Sequence, residues 1–145
     1  SDLRNGGDVA KAVALGADAV AIGHSALMAL NCNRDTPEAD YEGEMGVKAG
    51  ECYHCHTGRC TVGVATQDPE LRKRLDPDLA SERVYNFLHT LAIETQMMAR
   101  ACGKTNIHSL EPEDLAALTM EASACAQVPI AGSQHTVGRP DMTRF

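Results

Sequence analysis

The sequence contains no tryptophan, and its only aromatic residues are three Tyr and two Phe among 145 residues. It also lacks an excess of positive charge, because 20 acidic residues against 13 Lys and Arg give a net charge of −7. Such a surface repels nucleic acid and offers few rings on which bases could stack. No run of about 18 apolar residues is present. The sequence therefore argues against nucleic-acid-binding and membrane-spanning classes of protein.

The apolar content of 43% and the charged content of 23% are ordinary for a folded domain. Ser1–Arg4 shows neither the basic segment nor the apolar segment of a targeting signal. A cytoplasmic protein is therefore expected.

The first 31 residues alternate between helix and strand patterns. Asp8 is predicted to cap a helix over residues 9–15, which Gly16 ends. Small and β-branched residues at 17–23 predict a buried strand, and a second helical run covers residues 26–30. This order is typical of βα units, so the sequence predicts an α/β fold. Because a parallel strand needs neighbours on both sides, the remainder of the sheet is expected from the same or another chain.

The rest of the chain reads as an insertion and a cysteine-rich loop over 32–67, a helical region over 68–132 and an extended tail over 133–145. Asp76–Pro77 predicts the start of a long helix that Gly103 ends, and a further helix is predicted from Glu111 to Cys125. The residues predicted to share one face of the long helix are Val84, Leu88, Leu91, Thr95, Met98 and Cys102. The pair Met97 and Met98 is predicted to fill the core, and Cys102 and Cys125 are predicted to be buried free thiols.

Three cysteines fall within the nine residues from Cys52 to Cys60, and Cys32 precedes them. Thiolates are soft anionic ligands, and three or four on a tight loop can enclose an iron–sulfur cluster. The candidate cluster ligands are therefore Cys32, Cys52, Cys55 and Cys60.

Two other chemistries fit the same segment. Cys52, Cys55 and His56 match the C-x-x-C-H pattern of c-type haem attachment, although this leaves Cys60 unexplained. A structural zinc ion could instead take Cys52, Cys55 and Cys60 with His54 or His56. Spacing alone leaves these alternatives open.

The chain resembles the C-terminal part of the FMN-binding, iron–sulfur synthase domain of the glutamate synthase family. The stretches 3–12 and 15–23 look like strand seven, helix seven and strand eight of that domain's (β/α)8 TIM barrel, so that residues 1–31 would be its last βα units. Residues 55–71 look like the family's cluster loop and its exit, and residues 99–104 and 110–115 resemble the helical stretch after the barrel.

This resemblance implies an oxidoreductase that reduces 2-iminoglutarate, formed from 2-oxoglutarate and ammonia, to L-glutamate. FMN would bind through its phosphate to the loops after strands seven and eight. A [3Fe–4S] or [4Fe–4S] cluster would lie beside it on three or four of the cysteines, while the catalytic residues would lie on earlier strands, outside this chain. The candidate cofactor-binding residues are Ser1, Asp2, Leu3, Gly23, His24 and Ser25.

The implied partners are the rest of the barrel, a glutaminase domain or subunit that supplies ammonia, and a ferredoxin or pyridine-nucleotide reductase subunit that supplies electrons. Two alternative functions stay open at this point. One is a relative that forms N-methylglutamate with the same domain, and the other is a non-catalytic haem or zinc module on Cys52, Cys55 and His56.

Overall fold

The structure, a computed structural model, describes residues 3–32, 52 and 54–140. In these ranges no helix is long and apolar enough to cross a membrane. The α-helices are α1 over Gly6–Ala14, α2 over His24–Ala29, α3 over Pro69–Arg72, α4 over Pro77–Ala101 and α5 over Met120–Ala126. Short 3₁₀ helices lie at His54–Thr57, Ile107–Ser109 and Pro112–Asp114.

The strand predicted over residues 17–23 does not form, and these residues follow an irregular path after α1. Within the described part of the chain, the only β pairing is an isolated parallel bridge between Ala117 and Ile130. A strand is maintained by ladder hydrogen bonds to neighbouring strands, and the described part of the chain contains no strand that could pair with 17–23. The fold is therefore mostly helical, and the barrel architecture stays a prediction.

The chain divides into two compact units, one of Ser1–Leu3 with Ala21–Thr90 and one of Arg4–Val20 with Leu91–Phe145. The second unit has an apolar core in which one face of α1 packs with residues from the end of α4 and beyond. Its buried members are Val9, Ala10, Val13, Ala14, Ala99 and Leu110.

The N-terminus of α1 lies directly against α4. The Gly6 N–H donates to Glu94 Oε2 at 2.7 Å, and the buried Thr95 hydroxyl lies 2.8 Å from the Leu91 carbonyl and 3.2 Å from the Gly6 carbonyl. A Cβ on Gly6 would overlap the Glu94 side chain and lie 2.5 Å from the Thr95 nitrogen. Only a residue without a side chain permits this approach.

The predicted limits of the long helix are confirmed. Asp76 Oδ1 accepts the N–H groups of Asp78 and Leu79 at 3.0 and 3.2 Å, which caps the start of α4. At the other end, the Gly103 N–H donates to the Arg100 carbonyl at 2.9 Å. Cap chemistry is local, so it can be read from adjacent residues.

The cap of α1 is Asn5 and not Asp8 as predicted. Asn5 Oδ1 accepts the Asp8 N–H at 3.0 Å, and Asp8 lies in the first turn of the helix. There a hydrogen bond from the Lys11 side chain is the main cause that lowers the pKa of Asp8, helped by the Arg4 N–H. The helix therefore begins earlier than predicted.

The single helix predicted from Glu111 to Cys125 is wrong. Glu111 and Asp114 form a capping box that closes one 3₁₀ turn, and Leu115 then leaves in an extended conformation. Thr119 caps the separate helix α5 by accepting the Ala122 N–H at 3.1 Å. Two competing caps thus divide what the sequence presents as one helical run.

The predicted buried face of α4 is correct at Thr95, which is 2% exposed, while Leu91 is partly buried. It is wrong at Leu88 and Met98, which are 43% and 48% exposed. The residues predicted to be core or buried thiols but found exposed also include Met97, Cys102 and Cys125. Periodicity identifies a helical face but not which part of it other elements cover.

Gly6→Ala is expected to destabilise the full-length protein, because the added methyl must displace α1 from α4. Overpacking of this kind costs about 1–3 kcal/mol. Gly7→Ala is the matched control, since its Cβ would meet only Asn5 Oδ1, at 3.2 Å, and helix propensity favours alanine. Denaturant midpoints measure both, and equal midpoints for the two variants would contradict the close approach.

Candidate functional site

Cys32 is fixed by the end of α2. The Asn31 N–H donates to the Met28 carbonyl at 2.9 Å, and the Cys32 N–H donates to the Leu27 carbonyl at 3.0 Å. Asn31 adopts a left-handed conformation with φ of 76°. This pair of bonds is the Schellman ending of a helix, and it places the half-buried Cys32 immediately after α2.

Cys55 lies in the 3₁₀ helix His54–Thr57. The Thr57 hydroxyl donates to the His54 carbonyl at 2.8 Å and accepts the Arg59 N–H at 3.2 Å, which closes this turn. Cys55 is exposed, and Cys52, a few residues earlier, is half-buried.

Cys60 is the most buried of these cysteines, with 5% of its surface exposed. A tight turn follows it, in which the Gly63 N–H donates to the Cys60 carbonyl at 3.1 Å. Burial acts to raise the pKa of the Cys60 thiol, but hydrogen bonds from the backbone N–H groups of Ala65, Val62, Val64 and Gly63 outweigh it and lower the pKa. Such a nest of N–H groups favours an anionic sulfur.

Three contacts hold this turn, which we call the Cys60 turn, residues 60–65. The buried Thr66 hydroxyl donates to the Gly58 carbonyl and accepts the Asp68 N–H. Arg74 donates from its guanidinium to the Thr61 carbonyl at 3.1 Å. Gly63, with φ of +83°, packs so tightly that a Cβ would lie 2.6 Å from the Leu71 carbonyl oxygen.

The Cys32 thiol interacts electrostatically with cysteines that are distant in sequence. Burial is the main cause that raises the pKa of the Cys32 thiol, and the nearby thiols of Cys55, Cys60 and Cys52 raise it further. Cys32 and the three thiols that act on it all belong to the first unit.

Among the described residues, no three His, Cys, Asp or Glu side chains are grouped so that they could hold a metal ion. In an iron–sulfur cluster each thiolate binds a different iron, so the sulfur atoms stand farther apart.

The two loops predicted to bind a phosphate meet through one hydrogen bond. The Ser25 hydroxyl donates to the Leu3 carbonyl at 2.6 Å. Its single proton is therefore directed at the neighbouring loop. Gly23 precedes α2, and a Cβ there would meet no described atom within 4 Å, so its backbone faces open space. His24 is exposed at the start of α2, and Ser1 and Asp2 lie outside the described residues.

Sequence reasoning missed Thr66, Gly63 and Arg74. The closely spaced Gly58 and Gly63 could have indicated tight turns on either side of Cys60. The contact from Arg74 to Thr61 joins positions without any local pattern between them, so only the fold reveals it.

Four thiols beside a nest of backbone N–H groups are typical of proteins that bind soft metal ions or iron–sulfur clusters. A family model described as the conserved region in glutamate synthase matches residues 1–38 and 42–105. The chain therefore belongs to the glutamate synthase family, which confirms the resemblance seen in the sequence.

Two relatives indicate the extent of this similarity. The glutamate synthase large subunit-like protein of Rhizobium meliloti is 53% identical over 94% of this chain and 31% of its own length. The archaeal-type glutamate synthase (NADPH) of Thermotoga maritima is 40% identical over 74% of this chain and 18% of its own length. The chain thus spans less than a third of these relatives. No solved structure matches the chain.

Thr66→Val is expected to cost about 1–3 kcal/mol of stability, because it removes the two hydrogen bonds that the buried Thr66 hydroxyl makes to the Gly58 carbonyl and the Asp68 N–H. Thr57→Val is the matched control, since the Thr57 hydroxyl makes the same pair of bonds at an exposed position. Denaturant unfolding together with hydrogen exchange over 58–68 measures the difference. An equally large loss of stability in Thr57→Val would show that the burial of Thr66 does not determine the cost of removing its hydroxyl.

Proposed function

We propose that the protein is an FMN- and iron–sulfur-dependent oxidoreductase of the glutamate synthase type, which reduces 2-iminoglutarate, from 2-oxoglutarate and ammonia, to L-glutamate. This chain would hold the cluster and the phosphate end of the flavin. The observation that supports the proposal is the electrostatic interaction of the Cys32 thiol with those of Cys52, Cys55 and Cys60 in a chain of this family.

The chemistry of the four cysteines suits an iron–sulfur cluster. Cys60 would be its buried ligand, with N–H donors that compensate the negative charge of its sulfur. Cys55 is exposed, and Cys32 and Cys52 are half-buried, so these three thiols are accessible to a cluster. Three ligands would give a [3Fe–4S] cluster, and four would give a [4Fe–4S] cluster.

The buried position of Cys60 also weighs against the haem alternative. Haem attachment would use Cys52, Cys55 and His56 and would leave unused the Cys60 thiol, to which four backbone N–H groups donate. An iron–sulfur cluster would use the N–H groups around Cys60, because hydrogen bonds to the sulfur ligands help set the reduction potential of the cluster.

The same short helix would connect both cofactors. α2 spans about 9 Å, with Ser25 bonded to Leu3 at its beginning and Cys32 fixed at its end. Backbone groups at Leu3 and Gly23 to Ser25 would hold the flavin phosphate, with Ser1 and Asp2 completing the loop. When bound, the flavin supplies hydride transfer and the cluster supplies single-electron transfer. No residue of this chain is assigned to the reacting atoms.

The partners follow from this role. The names of relatives specify NADPH or NADH, so a pyridine nucleotide acting through a reductase subunit is the proposed electron source, with a ferredoxin as the alternative. Ammonia would come from a glutaminase domain or subunit. The rest of the (β/α)8 barrel would complete the flavin site and provide the catalytic residues.

Cys55→Ser and Cys60→Ser are each expected to remove most of the iron and acid-labile sulfide from the full-length protein and to abolish donor-driven glutamate formation. Cys102→Ser and Cys125→Ser are the controls, because these exposed thiols lie outside the proposed set. Cluster content unchanged in Cys60→Ser would contradict the assignment. Iron retained in Cys32→Ser or Cys52→Ser would distinguish three ligands from four.

Ser25→Ala is expected to weaken FMN binding about fivefold, because the loss of one partly buried hydrogen bond of about 1 kcal/mol releases Leu3 from α2. Ser81→Ala is the control, since the Ser81 hydroxyl makes a comparable bond to the Asp78 carbonyl at an exposed position of α4. Recovery of flavin fluorescence on dilution measures the affinity. Equal affinity for FMN in both variants would show that the contact between Leu3 and Ser25 does not contribute to flavin binding.

A further inference from the structure

Arg74 has no role in the chemistry described so far, yet it contacts the cluster loop. Its guanidinium Nη1 lies 3.1 Å from the Thr61 carbonyl oxygen, in a partly buried contact across 13 positions of sequence. Thr61 itself is 4% exposed. The Cys60 turn therefore has the Arg74 guanidinium bound to one of its carbonyl oxygens.

The Thr61 carbonyl and the Val62 N–H belong to one peptide unit. A trans peptide is planar, and its C=O and N–H point in opposite directions. Arg74 binds the C=O of this unit, and the N–H is among the groups that bond the Cys60 sulfur. Whatever holds the carbonyl thus also directs the N–H at the sulfur.

We propose that Arg74 is a positioning residue for the cluster, acting through the Thr61–Val62 peptide to direct and polarise the N–H that bonds the Cys60 sulfur. This inference rests on the proposed function, since it presumes a cluster on Cys60. A cation bound to the carbonyl polarises the peptide and so strengthens the hydrogen bond that the N–H of the same peptide donates. Stronger N–H donation to the thiolate stabilises the reduced, more negative cluster and raises its reduction potential.

The neighbouring Lys73 provides a matched control. Lys73 pairs with Glu70 at 2.7 Å, and its side chain is 70% exposed. Arg74→Met and Lys73→Met each remove one positive charge, but only the first removes the contact to Thr61. The two variants therefore change the net charge of the protein by the same amount.

The test is a redox titration of the cluster in the full-length protein, followed by electron paramagnetic resonance. We expect the midpoint potential of Arg74→Met to be more negative than that of Lys73→Met, and hydrogen exchange over residues 61–65 to be faster. Equal midpoints in the two variants would overturn the positioning role. If Arg74→Met fails to assemble a cluster, the exchange rates decide, and equal rates over 61–65 would overturn it.

The wild-type protein separates this proposal from the one on which it rests. Iron and acid-labile sulfide absent from the wild type would refute the cluster and the proposed function with it. A cluster present in the wild type, with Arg74→Met indistinguishable from Lys73→Met, would refute only the role of Arg74.

Discussion

The burial of a sulfur that is to carry negative charge is the constraint on which this site depends. A thiolate removed from water must find hydrogen-bond donors, and at Cys60 the donors are backbone N–H groups of the following turn. That turn exists because Gly63 fits against the Leu71 carbonyl and because Thr66 and Arg74 hold the backbone on either side. The segment from the start of α3 to Leu75 thus supports the proposed metal site although it contributes no candidate ligand.

Helix ends contribute the other half of the arrangement. The Schellman ending of α2 determines where Cys32 lies, and the bond between Ser25 and Leu3 determines where the same helix begins. A six-residue helix has little stability of its own, so these end contacts determine its position. A site assembled from loops and helix ends depends on local hydrogen bonds more than on a large apolar core.

Local signals were the part of this structure that sequence could predict. The Asp76–Pro77 cap and the stop at Gly103 are each read within a few residues. Non-local contacts could not be predicted: the strand over 17–23 lacks its neighbours, and Arg74 reaches Thr61 from another element. Competing caps at Glu111 and Thr119 divided a helix, and exposed Met98 shows that an apolar residue at helical spacing need not be covered.

We propose that the two ends of α2 hold one flavin site and one iron–sulfur cluster side by side. The most direct test is an anaerobic visible spectrum of the full-length protein, with iron, acid-labile sulfide and flavin measured on the same sample. We expect FMN together with three or four irons and four sulfides per chain, as in the [3Fe–4S] or [4Fe–4S] clusters that three or four thiolates hold. A sharp Soret band without flavin, or zinc without sulfide, would contradict it.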